Sequence, residues 1–278
     1  LVAAVDVQNN MFVVQVYGIM PGEPFDLVLF DRFHIVKSSR EDVDGERLWV
    51  RPASYLEDWD LLTEHILERS YPLSDGSGRR MMVKMTVCDS GGREGVTGMA
   101  YNYYRKLRKL GLSGRFHLVK GDSVTGAPRA RISYPDSNRR DKLAVARGDV
   151  PVLLLNSNTL KDMLSGRLDC VEPGKGMLRI ASWLPDFVFS ELCAEVRTAK
   201  GWENPQNLRN EAWDLSYYAI GVCVSSLLRI ESMDWGNPQG WASEWDSNVM
   251  ITTSGDNVRF AKQQNEVYDF AKLASNLA

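Results

Sequence analysis

Histidine is scarce in these 278 residues: His34, His65 and His117 are the only three, and none stands at a ligand-like spacing from another. Imidazole-based catalysis is therefore not expected. The four cysteines, Cys88, Cys170, Cys193 and Cys223, form no Cys-x-x-Cys pair, which argues against a zinc site. Each sits in an apolar neighbourhood and is expected to be a reduced core thiol of a cytoplasmic protein. No Gly-x-Ser-x-Gly or similar nucleophile motif is present. No run of about 18 apolar residues occurs, so no membrane span is expected. The one Gly-Lys candidate for a phosphate loop, Gly174-Lys175-Gly176, lacks the Ser or Thr that would hold Mg²⁺. The apolar opening, Leu1 to Val5, lacks the basic region and the length of a signal peptide. It enters a strand pattern without an initiator Met, as expected of a piece cut from a longer chain. A basic excess is missing too: the net charge of −3 does not mark a nucleic-acid binder. Carboxylates concentrated at an active site would, however, offset basic residues elsewhere.

What is present is an ordinary globular composition, 44% hydrophobic and 25% charged, enough to bury a sizeable core. Residues 2–7 read as a buried strand carrying one acid, followed by a turn at Gln8-Asn9-Asn10 and a Val-rich strand over 11–17. Residues 25–36 read as a third strand bent near Asp31, so an antiparallel meander is expected. Helical spacing follows at 57–70, a loop at 71–80, a strand at 81–88 and a basic helix at 96–110 stopped by Gly111. Further strands are expected at 115–120, 150–155 and 177–181. Helices are expected at 159–165, 186–196, 210–230 and, weakly, 265–277. Strands first and strand–helix alternation after predict an α/β fold around a mixed sheet flanked by helices. The polar, basic segment 123–147 is expected to be an exposed insertion or flexible loop.

Three acidic positions stand out. Asp6 lies inside an apolar strand, where an unpaired carboxylate is costly, so it faces either water or a partner. Asp89 ends a strand and precedes Ser90-Gly91-Gly92. Ligands gather at strand ends in such sheets, and paired glycines let a backbone approach a phosphate or metal closely. An Asp that merely starts a turn or caps a helix is the plainer alternative. Glu211 and Asp214 share one face near the start of an otherwise apolar helix, where the helix dipole also favours acids. Taken together these acids match what two-ion phosphodiester hydrolysis requires. Two hard cations held about 3.5–4 Å apart by carboxylates activate a water and stabilise the leaving oxygen. Mg²⁺ or Mn²⁺, two ions in all, are the expected cofactors. An acid in the first strand, one at the end of the fourth and one in a late helix is the order of a ribonuclease H-like fold.

Ala4-Val5-Asp6-Val7-Gln8 and the hairpin after it resemble the start of the nuclease domain in the lambda-like terminase large subunit family. Val87-Cys88-Asp89-Ser90-Gly91-Gly92 is similar to that family's second acidic motif. Arg209-Asn210-Glu211-Ala212-Trp213-Asp214 is similar to its last, and the stretch 195–204, with Glu-Val-Arg-Thr and Gly-Trp-Glu, shares the family's look. The resemblance runs from about residue 2 to about residue 229. It implies a metal-dependent endonuclease that cuts concatemeric viral double-stranded DNA during genome packaging in the host cytoplasm. It implies Asp6, Asp89 and Asp214 as metal ligands, with Glu211 replacing or assisting Asp214. Glu195 is a weaker candidate, read as a surface acid on a helix. The implied partners are an upstream ATPase motor domain, absent from this chain, a small terminase subunit and the portal of the procapsid. Residues 1–231 are expected to form the nuclease domain and 232–278 a tail whose Trp235, Trp241 and Trp245 either dock a partner or fold back on the domain.

A nuclease must also grip its substrate. Arg105, Lys106, Arg108, Lys109 and Lys120 are candidates for phosphate contact, as are Arg129, Arg131, Arg139, Arg140 and Lys142. The helix group reads equally as a solvated face. Two other readings stay open: a different ribonuclease H-like nuclease of resolvase or integrase type, and a non-catalytic DNA-packaging or DNA-binding module with a degenerate site.

Overall fold

A computed structural model describes residues 1–92, 94–124, 126–135 and 148–253. Its centre is an eight-stranded mixed sheet. The strands are β1 (Val2–Val7), β2 (Phe12–Met20), β3 (Asp26–Ile35), β4 (Met85–Asp89), β5 (Phe116–Gly121), β6 (Ala130–Ser133), β7 (Val152–Leu155) and β8 (Leu178–Ile180). They lie in the order β6-β7-β5-β4-β1-β2-β3-β8. The meander expected from the first three runs is present, with β2 antiparallel to both β1 and β3. Its bend near Asp31 is a register shift: Val16 pairs with Asp31 and Tyr17 with Leu29, leaving Phe30 as the extra residue. Beyond the meander β4 runs parallel to β1, β5 to β4 and β7 to β5.

Helices cover both faces, and strand alternation sorts the core between them. Val2, Ala4, Val13, Val87 and Val119 point to one side, where α2 (Ser157–Asp169), α3 (Asp186–Leu192) and α4 (Glu211–Val224) pack. Ala3, Val5, Val14, Cys88 and Leu118 point to the other. That side is covered by α1 (Val96–Lys109) and a short helical run over 56–67, which supplies Trp59, Leu62 and Ile66. Twelve of the 14 residues of α4 are buried, so this helix is the centre of its layer. Gly221 sets how closely it approaches the sheet: a Cβ there would stand 2.7 Å from Leu155 Cδ2. No helix among the described residues is long and apolar enough to cross a membrane.

Several expectations need correction. The segment 123–147 is not all loop, because residues 130–133 pair antiparallel with β7 as an edge strand. Ala130 and Ile132 pack on the core, whereas Arg131 turns to Asp122. The expected loop at 71–80 is framed by paired strands, Ser70–Pro72 and Arg80–Met82. Helix 186–196 stops at Leu192, and Val196–Thr198 instead pairs with Gly201–Glu203. Cys88 and Cys223 are buried thiols, but Cys193 is exposed just past α3. Of the two readings of the tail tryptophans, folding back describes Trp235 and Trp241, which pack partly buried against the core, while Trp245 is exposed. Ile251–Thr252 pairs with Arg80–Met82, and the helix expected at 265–277 lies outside the described residues.

Candidate active site

Asp6 and Asp89 are brought together by strand register alone. Val5 of β1 pairs with Cys88 of the parallel strand β4, so Asp6 and Asp89 follow as neighbours at the carboxyl ends of adjacent strands. Adjacent strands lie about 4.8 Å apart. Val5 and Cys88 point to the α1 layer, so the next residue on each strand points to the α4 layer. Both carboxylates line one cleft of about 260 Å³, together with Gln8, Asn9, Gly91 and Gly92. The Gln8 amide donates to Asp6 Oδ2, and the Gly91 amide donates to Asp89 Oδ1 at 3.1 Å. Gly92, at φ 88°, takes the left-handed conformation that turns the chain away from β4 toward α1.

The first turn of α4 brings the other acids toward this strand end. Asp214 does not line the cleft itself. Its Oδ1 lies 2.9 Å from Lys161 Nζ of α2, and its Oδ2 accepts from Asn210 Nδ2 at 3.2 Å. The same ammonium donates to both oxygens of Glu195, at 2.8 and 2.9 Å. Glu195 is therefore no surface acid on a helix: its side chain is 5% exposed and follows the end of α3. Glu211 belongs to a second network. Arg209 lies 3.0 Å from its Oε1, and Arg32, a fully buried guanidinium, pairs with Glu191 at 2.9 Å. Glu191 also accepts from the Ala212 amide at 2.9 Å and so anchors the start of α4.

The electrostatics tie these groups into one cluster. Burial pushes the Asp6 carboxyl up to about 6; the Gln8 bond opposes this, and the charges of Asp89 and Glu211 add to it. Burial likewise pushes Asp214 up to about 6, with Lys161 opposing and Glu195 and Asp6 adding. Asp89 is raised by burial, against the bonds from the Gly91 and Ser90 amides, and Asp214 raises it further. Glu211 differs. Burial works upward on it, but the bond and charge of Arg209 more than offset burial and hold it low. Glu211 is thus an ionised partner of arginine, whereas Asp6 and Asp89 have no ion-pair partner among the described residues and Asp214 shares Lys161 with Glu195. Burial holds the His34 and His117 imidazoles down at about 4, so both are neutral near pH 7.

Among the described residues, no three His, Cys, Asp or Glu side chains already converge closely enough to hold a metal ion. The donor set nonetheless fits a hard divalent cation. Two carboxylates share the cleft, and Asp214 Oδ1 is buried without an aligned hydrogen bond. The basic candidates divide. Lys120 is exposed directly after Val119, the residue that pairs with Asp89, and its charge acts on Asp89. Arg105 and Arg108 are engaged by Asp149, Lys106 by Asp60, Arg129 by Glu231 and Arg131 by Asp122. Lys109 ends α1, about 20 Å along the helix axis from its start beside the cleft. Arg139, Arg140 and Lys142 lie outside the described residues. Lys161 was missed in the sequence, although a lysine between core residues Leu160 and Leu164 is itself a signal of a buried partner.

Comparison with known proteins bears on what such a cleft serves. A family model described as terminase large subunit gpA, endonuclease domain, matches residues 1–235. No curated protein and no solved structure matches the chain.

Proposed function

This chain belongs to the terminase large subunit gpA endonuclease-domain family, and from that premise we propose that it hydrolyses phosphodiester bonds of double-stranded viral DNA with the help of Mg²⁺ or Mn²⁺. The observation that carries this reading is the register of β1 and β4, which sets Asp6 and Asp89 side by side in an open cleft. We read the sheet as ribonuclease H-like. In support, an antiparallel meander is followed by parallel strands, with acids on the first strand, on the neighbouring parallel strand and in a late helix.

In this mechanism Asp6 and Asp89 would hold the cation, and Asp214 would supply the third carboxylate. Two ions in all are proposed. When bound, such ions supply Lewis acidity toward a water and the scissile phosphate. The protein's own groups orient and balance the charge. The Gly91 amide and the Gln8 side chain fix the two carboxylates. Lys120 stands at the same strand end to contact a DNA phosphate. Glu211 is tied to Arg209, so this reading gives the third carboxylate to Asp214. The setting we propose is concatemer cutting in the host cytoplasm, alongside an ATPase motor domain, a small subunit and the portal.

Incubation with supercoiled plasmid tests the reading. Nicking is expected with Mn²⁺ or Mg²⁺, none with EDTA, and none in Asp6→Ala or Asp89→Ala. Cleavage that survives both substitutions would overturn the site.

A further inference from the structure

Lys161 sits on the buried side of α2, between Leu160 and Leu164 of the core. Its ammonium donates to both oxygens of Glu195 at 2.8 and 2.9 Å and stands 2.9 Å from Asp214 Oδ1. The Tyr217 ring lies 5.1 Å from it. Asn210 closes the group from the other side, donating to Glu195 Oε1 at 2.8 Å and to Asp214 Oδ2 at 3.2 Å. One cation is therefore shared by two carboxylates, and unevenly. Its aligned hydrogen bonds go to Glu195, whereas Asp214 Oδ1 has the charge beside it and no aligned bond.

We infer that Lys161 is a positioning residue: it holds Asp214 in the metal-free protein and competes with a divalent cation for that carboxylate. This rests on the proposed reading of Asp6, Asp89 and Asp214 as ligands. A buried carboxylate with no counter-charge is costly, and Asp214 has no other cation beside it among the described residues. A divalent ion near Asp6 and Asp89 would offer it twice the charge and the oxygen coordination such ions prefer. Release of Asp214 does not strand the ammonium, because Glu195 keeps both of its bonds. The shared lysine thus explains why the third acid stands aside from the cleft that holds the first two.

The test is calorimetric titration of Mn²⁺ into the native chain, Lys161→Met, Lys161→Gln and Asp6→Ala, with metal-free melting measured in parallel. Removing a unit charge a few ångströms from a divalent ion is expected to tighten Mn²⁺ binding by about tenfold or more. Lys161→Gln keeps N–H donors in place, so it serves if Lys161→Met does not fold. Tighter binding is an outcome that a purely structural lysine does not produce, since loss of a structural tie loosens a binding site. Unchanged or weaker Mn²⁺ binding by a folded Lys161→Gln protein overturns the inference alone. A native chain that takes up no Mn²⁺, or an Asp6→Ala chain that binds it as well as native, overturns the ligand reading and the inference with it.

Discussion

Replacing Asp6 by Asn should stabilise the metal-free protein while abolishing cleavage. Burial and the charges of Asp89 and Glu211 raise this carboxyl from 3.8 to about 6. The folded state therefore holds the proton more tightly than the unfolded chain does. Its contribution is fully present below about pH 4, falls as pH rises through 6, and stays lost above that. A displacement of this size corresponds to about 3 kcal/mol, which solvent at the open cleft reduces to roughly 1–2 kcal/mol. Asn keeps the shape and removes the charge. In EDTA at pH 8 the Asp6→Asn protein should melt about 2–8 °C above the native chain, and the gap should close near pH 4. Saturating Mg²⁺ should reverse the order, because only the native chain retains the charged ligand. A variant that melts below native at pH 8 in EDTA would refute the reasoning, since the carboxylate would then be satisfied without metal.

Gly221→Ala forces a Cβ to within 2.7 Å of Leu155 Cδ2, so the most buried helix must move off the sheet. A loss of about 1–3 kcal/mol is expected in denaturant unfolding. Lys120→Ala should weaken DNA binding and lower the salt slope by about one, with melting unchanged. Arg105→Ala should leave DNA binding as it is, because its guanidinium is already committed to Asp149; fluorescence anisotropy at several salt concentrations separates the two.

The legible part of this site was the part set by strands. Asp6 in an apolar run and Asp89 before two glycines could be placed at one sheet end, because side-chain alternation and strand ends follow from local pattern. Helix boundaries were less legible. The expected helix 186–196 carried Glu195 to the surface, but the chain turns after Leu192 and tucks that acid against Lys161. Glu211 and Asp214 could not be told apart in sequence either, since both share the first turn of α4. The structure gives each a different cation: Arg209 for the first, Lys161 for the second. Such pairings join residues 2 and 53 positions apart along the chain, and only the second needs the tertiary fold. The basic helix face stays open in sequence between phosphate contact and a solvated surface, because charge is visible there while its partners are not; Asp149 and Asp60 already occupy three of its four cations.

The most direct test of the central claim is anomalous diffraction from crystals of this chain soaked in Mn²⁺. A peak bridging the carboxylates of Asp6 and Asp89, lost in Asp89→Ala crystals, is the predicted result. Mn²⁺ bound elsewhere, with the two carboxylates bare at saturating concentration, would contradict the account.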